Sequence, residues 1–470
     1  MKLELRQIAH WCGAELDRAG AELGGPGAEG ASAGGYSIDS RTIGAGELFF
    51  AIKGERFDGH DFVGAAILRG AVAAVVTRDR LAAARIEAGE RPLLVVDDTL
   101  KALQQLAAAV RRHWGKRLVG ITGSAGKTTT KEAVAKVLSA KFFVLKSHGN
   151  LNNGYGLPLQ LLKLETTHEA AVIEMGMSNA GEIAALAQIA APDWGVVTNV
   201  GTAHAQNFPD GITGIARAKY ELVAALPSHG VAFLNCDDPY VSQFGRDFRG
   251  KAVYYGRGPC ADPRAKAIRA LGAEGQTVRV RAGDQRATLR LRLLGAHNVA
   301  NAMAAIAVGV EAGIPLETCC AALAELEPED KRGQVLTIQG ATVINDCYNC
   351  NPEALRAMIG TLAAMPVGAG GRRILVAGSM LELGPDSAAL HAACGRAAAE
   401  AGIDLVVGVS GDARFLAEAA SGPGLEVLYF ETPEEAGQWL RGTVHGGDVV
   451  LLKASRGVRL ERALEAWRSA

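Results

Sequence analysis

Apolar and polar positions along the chain fall into two alternating kinds of segment. Short apolar runs at 47–52, 71–77 and 92–96 have the length of buried strands. Between 99 and 114, Leu100, Leu103, Leu106, Ala107 and Val110 recur at helical spacing, which predicts an amphipathic helix linking two units. Further apolar runs at 118–122, 170–174 and 194–199 end in polar residues, and each leads through a glycine-containing turn into helical text. That order predicts a mostly parallel sheet covered by helices. Runs at 341–345, 374–377, 405–409 and 449–452, separated by Ala- and Glu-rich stretches, repeat the theme. The expected fold class is therefore α/β with three domains. Residues 1–98 form a small N-terminal α/β domain whose turns include Gly24-Gly25-Pro26-Gly27. Residues 99–327 form a central P-loop-type domain with a mostly parallel sheet, and 328–470 a Rossmann-like, doubly wound C-terminal domain. The stretch 233–292 carries the weakest pattern.

A chain of 470 residues exceeds one ordinary hydrophobic core, which agrees with several domains. Its 49 Lys+Arg against 50 Asp+Glu leave a net charge of −1, so there is no broad basic footprint for nucleic acid or an anionic membrane. No apolar run approaches the roughly 20 residues a membrane span needs. The opening Met1-Lys2-Leu3-Glu4-Leu5-Arg6 lacks the apolar core and cleavage site of a signal peptide. A cytoplasmic monomer with no membrane insertion and no nucleic-acid partner is expected. In that setting the 8 cysteines are expected as free thiols. Cys347 and Cys350 have C-x-x-C spacing, but Cys319 and Cys320 are adjacent and make no second ligand pair. These thiols therefore read as small packing residues.

The strongest chemical signal is Gly123-Ser124-Ala125-Gly126-Lys127-Thr128-Thr129, which follows the apolar run and opens a helix with Val134, Val137 and Leu138 on one face. Glycines let backbone N–H groups turn around an anion, and the helix N-terminus adds partial positive charge. Lys127 can reach terminal phosphates, and the Thr128 hydroxyl can ligate Mg²⁺. The strict G-x-x-x-x-G-K-[ST] form is not met, because Ile121 stands where its first glycine would. Glu174 closes a buried run, at the strand end where open α/β sheets bind ligands, and His204 follows the next run. Together they are candidate metal ligands. Lys219 has no distinguishing pattern of its own.

The run Gly120-Ile121-Thr122 with the loop that follows it resembles the ATP loop of the Mur ligases, which add amino acids to the peptidoglycan precursor. Gly149-Asn150-Leu151-Asn152-Asn153-Gly154-Tyr155-Gly156, Ile173-Glu174-Met175-Gly176 and Gly181-Glu182-Ile183 resemble the branch that adds D-alanyl-D-alanine. Asp39-Ser40-Arg41, the segment ending Ile52-Lys53-Gly54 and Asp58-Gly59-His60-Asp61-Phe62 resemble that family's UDP-sugar domain. Leu294 to Ala302 is similar to its adenine-side segment, which implies nucleotide contacts for Asn298 and Asn301. Arg332 resembles a hinge arginine reaching the γ-phosphate, and Asp346 a nucleotide-facing aspartate. Lys453-Ala454-Ser455-Arg456 resembles the segment near the incoming amine.

The resemblance implies ATP, two Mg²⁺ ions held by Thr128, Glu174 and His204, and a carbamylated Lys219 as a further ligand. It implies catalytic roles for Lys127, Glu174, His204, Lys219 and Arg332. Substrate contacts are implied for Ser40, Arg41, Lys53, Asn150, Asn152, Asn153, Tyr348, Asn349, Lys453, Ser455 and Arg456. Two residues depart from the pattern: Ser379 stands where relatives carry Asp, and Ala454 where they carry Gly. The implied reaction joins D-alanyl-D-alanine to UDP-N-acetylmuramoyl-tripeptide (UDP-MurNAc-tripeptide) through an acyl phosphate, with release of ADP and phosphate. The alternatives are a third-residue-adding Mur ligase, a folylpolyglutamate-type ligase and a P-loop ATPase regulator. The Asn150 segment, the Glu174 context and the absence of an Asp-Asn-Pro-Arg motif disfavour the two ligases. A regulator is disfavoured by the substrate domain that precedes the loop.

Overall fold

The structure, a computed structural model, describes residues 1–17 and 31–469; the turn expected at Gly24-Gly25-Pro26-Gly27 lies outside them. Three large sheets follow one another along the chain. The first has strand order Glu15–Asp17, Leu93–Val96, Ala73–Thr77, Glu47–Phe50, Gly35–Ser37, parallel except for its Glu15–Asp17 edge. The second is entirely parallel, in the order Lys251–Tyr255, Val231–Asn235, Trp194–Val197, Arg117–Thr122, Ala170–Glu174, Val144–Lys146. The third runs Gln334–Ile338, Ala341–Asp346, Val449–Lys453, Arg373–Gly378, Leu405–Val409, Glu426–Phe430, with only the first strand antiparallel.

Parallel strands must be covered on both faces, and the sequence meets that demand. All five residues of Ala170–Glu174 and of Leu405–Val409 are buried. Arg117–Thr122 lies mid-sheet, flanked by Ala170–Glu174 on one side and Trp194–Val197 on the other. The loops leaving these carboxyl ends diverge and open a crevice. The third sheet brings Asp346 and Lys453 opposite each other at the same kind of strand end.

Helix Thr99–Trp114 matches the predicted span. Asp98 caps it by accepting from the Leu100 and Lys101 N–H groups, and Gly115 ends it in the left-handed region. The Thr99 hydroxyl donates to the Ala51 carbonyl at 3.0 Å, tying the helix to the first sheet. One apolar cluster runs from Leu48 and Phe50 through Leu103 and Leu106 to Leu118 and Ile173 of the second sheet. Arg111 is buried in this interface and donates to the Ala190 and Ala191 carbonyls and to Asp193, all within 2.9 Å.

The structure adds two features. A three-stranded antiparallel sheet, Arg264–Ala270, Gln276–Ala282 and Gln285–Leu291, occupies the weakly patterned stretch. The expectation of free thiols throughout is corrected at one pair: Cys236 and Cys260 are disulfide-bonded, with Cα atoms 5.9 Å apart. Their positions satisfy the geometry a disulfide needs, which spacing along the chain does not reveal. The other six cysteines are free and buried. Cys347 Sγ faces the Leu452 carbonyl and Cys350 Sγ the Asn351 carbonyl. No helix of the described residues is long and apolar enough to cross a membrane.

Replacing Arg111 with Met should lower stability by about 2 kcal/mol, because it leaves the Ala190 and Ala191 carbonyls without their donor, while part-exposed Asp193 keeps the Leu118 N–H. A urea midpoint equal to the wild-type value would show that these bonds add nothing.

Candidate active site

The loop after Arg117–Thr122 is shaped by what it rests on. A Cβ on Gly123 would lie 1.8 Å from Thr198 Oγ1, and one on Gly126 would lie 2.5 Å from Asn301 Oδ1. Only glycine fits either place, and Gly126 also sits at φ +78°. The loop is braced from the neighbouring strand end. Ser124 N–H donates to the Asn199 carbonyl, and Ala125 N–H donates to Asn199 Oδ1 at 2.8 Å. Thr198 Oγ1 and Asn199 Nδ2 both donate to the Ala125 carbonyl. The helix Lys127–Leu138 that follows has no side-chain cap on its N-terminal N–H groups. Such an end is built to receive an anion.

This loop lines a cavity of about 780 Å³ between the second and third sheets. Of the candidate residues, the cavity gathers Ser124 to Thr129, Asn150, Asn152, Asn153, Glu174, His204, Asn298, Asn301, Arg332, Asp346, Tyr348, Asn349, Lys453, Ser455 and Arg456. Ser40, Arg41, Lys53 and Lys219 are not on its wall. Ser40 is buried in the first domain, Arg41 is exposed and paired with Asp39, and the Lys53 backbone pairs with that of Asp58 in an isolated antiparallel bridge.

Several candidates are held by one another. Lys127 Nζ folds back to the Gly123 carbonyl at 2.8 Å. Desolvation lowers its pKa, opposed by Glu174 and aided by Arg332. Lys219 is buried, and its pKa lies well below the ordinary lysine value because of burial and then Lys127. Among the described residues Lys219 forms no ion pair. Glu174 is buried, with Oε1 fixed by Asn152 Nδ2 at 2.8 Å and Oε2 left without a partner. His204 sits at φ +64°, and its Nδ1 lies 2.5 Å from Glu382 Oε2, outside the angle a hydrogen bond needs. Burial lowers its pKa, against Glu382 and with Lys127 and Lys219, so the imidazole is neutral.

The buried, unpartnered Glu174 oxygen on the cavity wall suits a divalent cation, and the His204 imidazole on the same wall would join it on leaving Glu382. Among the described residues no group of three or more His, Cys, Asp or Glu gathers as a metal cage. Two protein donors fit magnesium, which keeps waters and takes substrate phosphate oxygens. Thr128, buried at the first turn of the loop helix, is a further oxygen donor.

Across the cavity, Asp346 Oδ2 lies 2.6 Å from Lys453 Nζ, which also donates to the Asn349 carbonyl. Burial works against the Lys453 charge, but Asp346 and the nearby thiols outweigh it and raise its pKa. The Arg332 guanidinium stacks on Tyr348 at 3.9 Å, and Arg456 approaches the same ring at 5.3 Å.

Family models match in chain order. "Mur ligase family, catalytic domain" covers 33–111, "Mur ligase middle domain" 121–309, and "Mur ligase, glutamate ligase domain" 331–456. The chain is 37% identical over 434 residues to the UDP-N-acetylmuramoyl-tripeptide--D-alanyl-D-alanine ligase of Bacillus subtilis, covering 92% of each. The chain belongs to the Mur ligase family. Its structure matches MurF from Acinetobacter baumannii with a TM-score of 0.88 at 29% identity, covering 100% of this chain and 99% of that one. It also matches MurF from Thermotoga maritima, solved in complex with ADP, with a TM-score of 0.80 at 31% identity, covering 92% and 96%.

Within this Mur ligase several cavity residues escape sequence reading. Asn199 and Thr198 brace the loop, Glu353 accepts from Thr202 Oγ1 at 3.0 Å across the cleft, and Glu382 faces His204. His297 lines the cavity as an exposed ring. Three candidates also have a structural duty. Asn301 accepts from the Thr130 hydroxyl and donates to Asn298, which donates to the Leu294 carbonyl. Ser455 Oγ accepts from Leu381 N–H and donates to the Cys350 carbonyl. The departures Ser379 and Ala454 are buried off the cavity wall. Ser379 bonds the Ser410 carbonyl, and Ala454 packs so closely that a Cβ on Gly378 would meet its methyl at 2.6 Å.

Asn152→Ala removes the donor that orients Glu174, so divalent-cation affinity should fall about tenfold, the usual cost of losing such a supporting bond. Titration with Mn²⁺ as a reporter, in the presence of nucleotide, would measure it; unchanged affinity would mean that Glu174 does not need Asn152.

Proposed function

We propose that this Mur ligase joins D-alanyl-D-alanine to UDP-MurNAc-tripeptide at the expense of ATP, as a cytoplasmic monomer. The observation that carries the reading is the pairing of an uncapped phosphate-loop helix with the unpartnered, buried oxygen of Glu174 on one cavity wall. The similar proteins support it: the Bacillus subtilis relative is a UDP-N-acetylmuramoyl-tripeptide--D-alanyl-D-alanine ligase by name, and the Thermotoga maritima MurF ligase was solved with ADP.

In the first step a carboxylate oxygen of the tripeptide attacks the γ-phosphorus of ATP, the bond to the β-phosphate breaks, and ADP leaves. The free amine of the dipeptide then attacks the acyl carbon, the C–O bond to phosphate breaks, and the amine loses a proton as the amide forms. Both reactants of the first step are anions, so the work is charge neutralisation and alignment. Lys127 leaves the Gly123 carbonyl to meet the phosphates, and Arg332 leaves the face of Tyr348 to meet the γ-phosphate. Asn298, Asn301 and Asp346 face the nucleotide. Thr128, Glu174, His204 and a modified Lys219 would hold two magnesium ions, which would supply positive charge at the phosphates. Lys453 and Arg456, with Tyr348, Asn349 and Ser455 around them, receive the dipeptide carboxylate. Asn150, Asn152 and Asn153 line the path of the tripeptide, whose UDP end meets Ser40, Arg41 and Lys53.

Lys219 is suited to carbamylation. Burial and then Lys127 lower its pKa, which favours the neutral amine whose lone pair can attack CO₂ with loss of one proton. The carbamate anion would replace repulsion between Lys219 and Lys127 with attraction.

Lys127→Ala should lower kcat at least about a thousandfold, on the scale of losing a main transition-state charge contact. Phosphate release and product mass, followed with ATP, Mg²⁺, D-alanyl-D-alanine and UDP-tripeptide, would test this and the reaction together; normal turnover would remove the reading. Lys219→Ala should be inactive and partly rescued by short carboxylic acids, whereas full activity without them would rule out the carbamate. Because the expected ligand contacts come from all three domains, nucleotide and precursor should close the third domain onto the joined first two. Identical small-angle scattering with and without them would contradict closure.

A further inference from the structure

The Cys236–Cys260 bond lies on the edge of the second sheet, beside the cavity but outside the proposed chemistry. Cys236 directly follows strand Val231–Asn235, and Cys260 lies in the loop after the edge strand Lys251–Tyr255. The bond therefore staples the carboxyl ends of the two outermost strands on that side. Three residues of the stapled segments, Asn235, Asp238 and Tyr255, are buried and line the cavity.

Each of the three holds the strand and turn that brace the phosphate loop. Asn235 Nδ2 donates to the Thr198 carbonyl at 2.8 Å, and Tyr255 Oη donates to the Val197 carbonyl at 2.9 Å. Asp238 Oδ2 accepts from the Val200 N–H at 2.9 Å. Thr198 and Asn199, between these anchors, carry the Ala125 carbonyl and N–H of the loop. An unbroken set of hydrogen bonds thus joins the disulfide to the site where phosphates would dock. The stapled loop is otherwise held by hydrogen bonds, among them Cys236 N–H to the Tyr255 carbonyl, Ala261 N–H to the Gly258 carbonyl and Arg264 Nε to the Arg257 carbonyl. Asp237 also accepts from the Arg257 and Gly258 N–H groups, and Asp262 N–H donates to the Tyr254 carbonyl.

The pair is also chemically separate from the other thiols. Cys260 is exposed, so a small thiol or disulfide can reach its sulfur. The remaining six cysteines are buried, and burial raises every one of their thiols, Cys12, Cys320 and Cys394 to about 11 and Cys319 and Cys350 to about 12. Exchange with a small thiol in solution is therefore open at one position and closed off by burial at the rest.

We propose that Cys236 and Cys260 form a reversible redox lock that sets the affinity of the cavity for nucleotide. The bonded state holds the Asn235–Asp238 turn, and through it the phosphate loop, in the binding geometry; the dithiol state relaxes it. The exchange is balanced with a small-molecule dithiol. Its thiolate attacks Cys260 Sγ, Cys236 leaves as a thiolate and takes a proton, and the second thiol of the reagent resolves the mixed disulfide. Two electrons and two protons pass to the protein, and the reagent leaves as its own cyclic disulfide. The inference rests on the nucleotide reading of the cavity.

The test equilibrates the whole protein in buffers of reduced and oxidised lipoic acid. Free thiols are trapped with a maleimide, and the Cys236–Cys260 cross-linked peptide is counted by mass. Binding of a non-hydrolysable ATP analogue with Mg²⁺ is measured on the same samples. The oxidised form should bind about fivefold more tightly than the reduced form, the lower end of coupling between two sites. By linkage, saturating analogue should shift the dithiol–disulfide equilibrium toward the bond by the same factor, a readout that a merely stabilising bond would not move. The Cys236→Ser/Cys260→Ser double variant should bind with the reduced-form affinity in every buffer. Equal affinity in both states, or no cross-linked peptide at any buffer ratio, overturns the lock alone. Absence of nucleotide binding in both states overturns the reading of the cavity and the lock with it.

Discussion

The site depends on one steric constraint, the missing side chain at Gly123. With no Cβ there, the loop leaving the central strand settles against Thr198 on the adjacent strand end. That contact brings the Ala125 peptide within reach of Thr198 and Asn199, whose side chains satisfy its polar groups. The loop's inner hydrogen bonds are then met by protein, and the first turn of the helix is left facing the cavity. Asn301 is a second prop, filling the space that a side chain at Gly126 would need and holding the helix through Thr130. A phosphate site made this way is rigid before any ligand arrives, which lowers the cost of ordering it on binding.

Around this fixed loop the charges are arranged in two groups. On the central-sheet side, burial lowers the basicity of both Lys127 and Lys219; Glu174 partly offsets this at Lys127, and Lys127 adds to it at Lys219. On the far side, Asp346 and Lys453 neutralise each other at facing strand ends, and two arginines share the Tyr348 ring. Every cation expected to meet a phosphate or carboxylate thus has an interim partner. Those partners (a carbonyl, a ring face and a carboxylate) are ones a more strongly charged ligand can displace.

Much of this was legible in the chain because parallel strands are buried on both faces and read as continuous apolar runs. The helix Thr99–Trp114 was legible from periodicity alone, since Asp98 and Gly115 mark its ends. The small antiparallel sheet was missed although its signal is present. Val278, Val280 and Ala282 alternate with exposed Arg279 and Arg281, and Gly283 turns the chain back. Its strands face solvent on one side, so no apolar run announces them. The candidate site was legible where a motif lies in one segment, as in the phosphate loop. Asn199, Glu353 and Glu382 could not be picked out, because each is an ordinary polar residue until folding sets it against the loop, Thr202 or His204. Asn301 and Ser455 were legible as cavity residues but not as the braces they also are. The Cys236–Cys260 pairing required two strand ends to be adjacent, which no spacing rule supplies.

The shared apolar cluster that threads helix Thr99–Trp114 between the first two sheets has a mechanical meaning. The first and second sheets cannot slide past each other without tearing a continuous core, so they form one stator. The third sheet has its own two apolar layers and joins through the short link around Lys331 and Gly333, both in the left-handed region. Built from three sheets, the molecule is therefore a two-piece machine with a single pivot. Arg332 lies at that link, and its stacking on Tyr348 ties it to the third sheet.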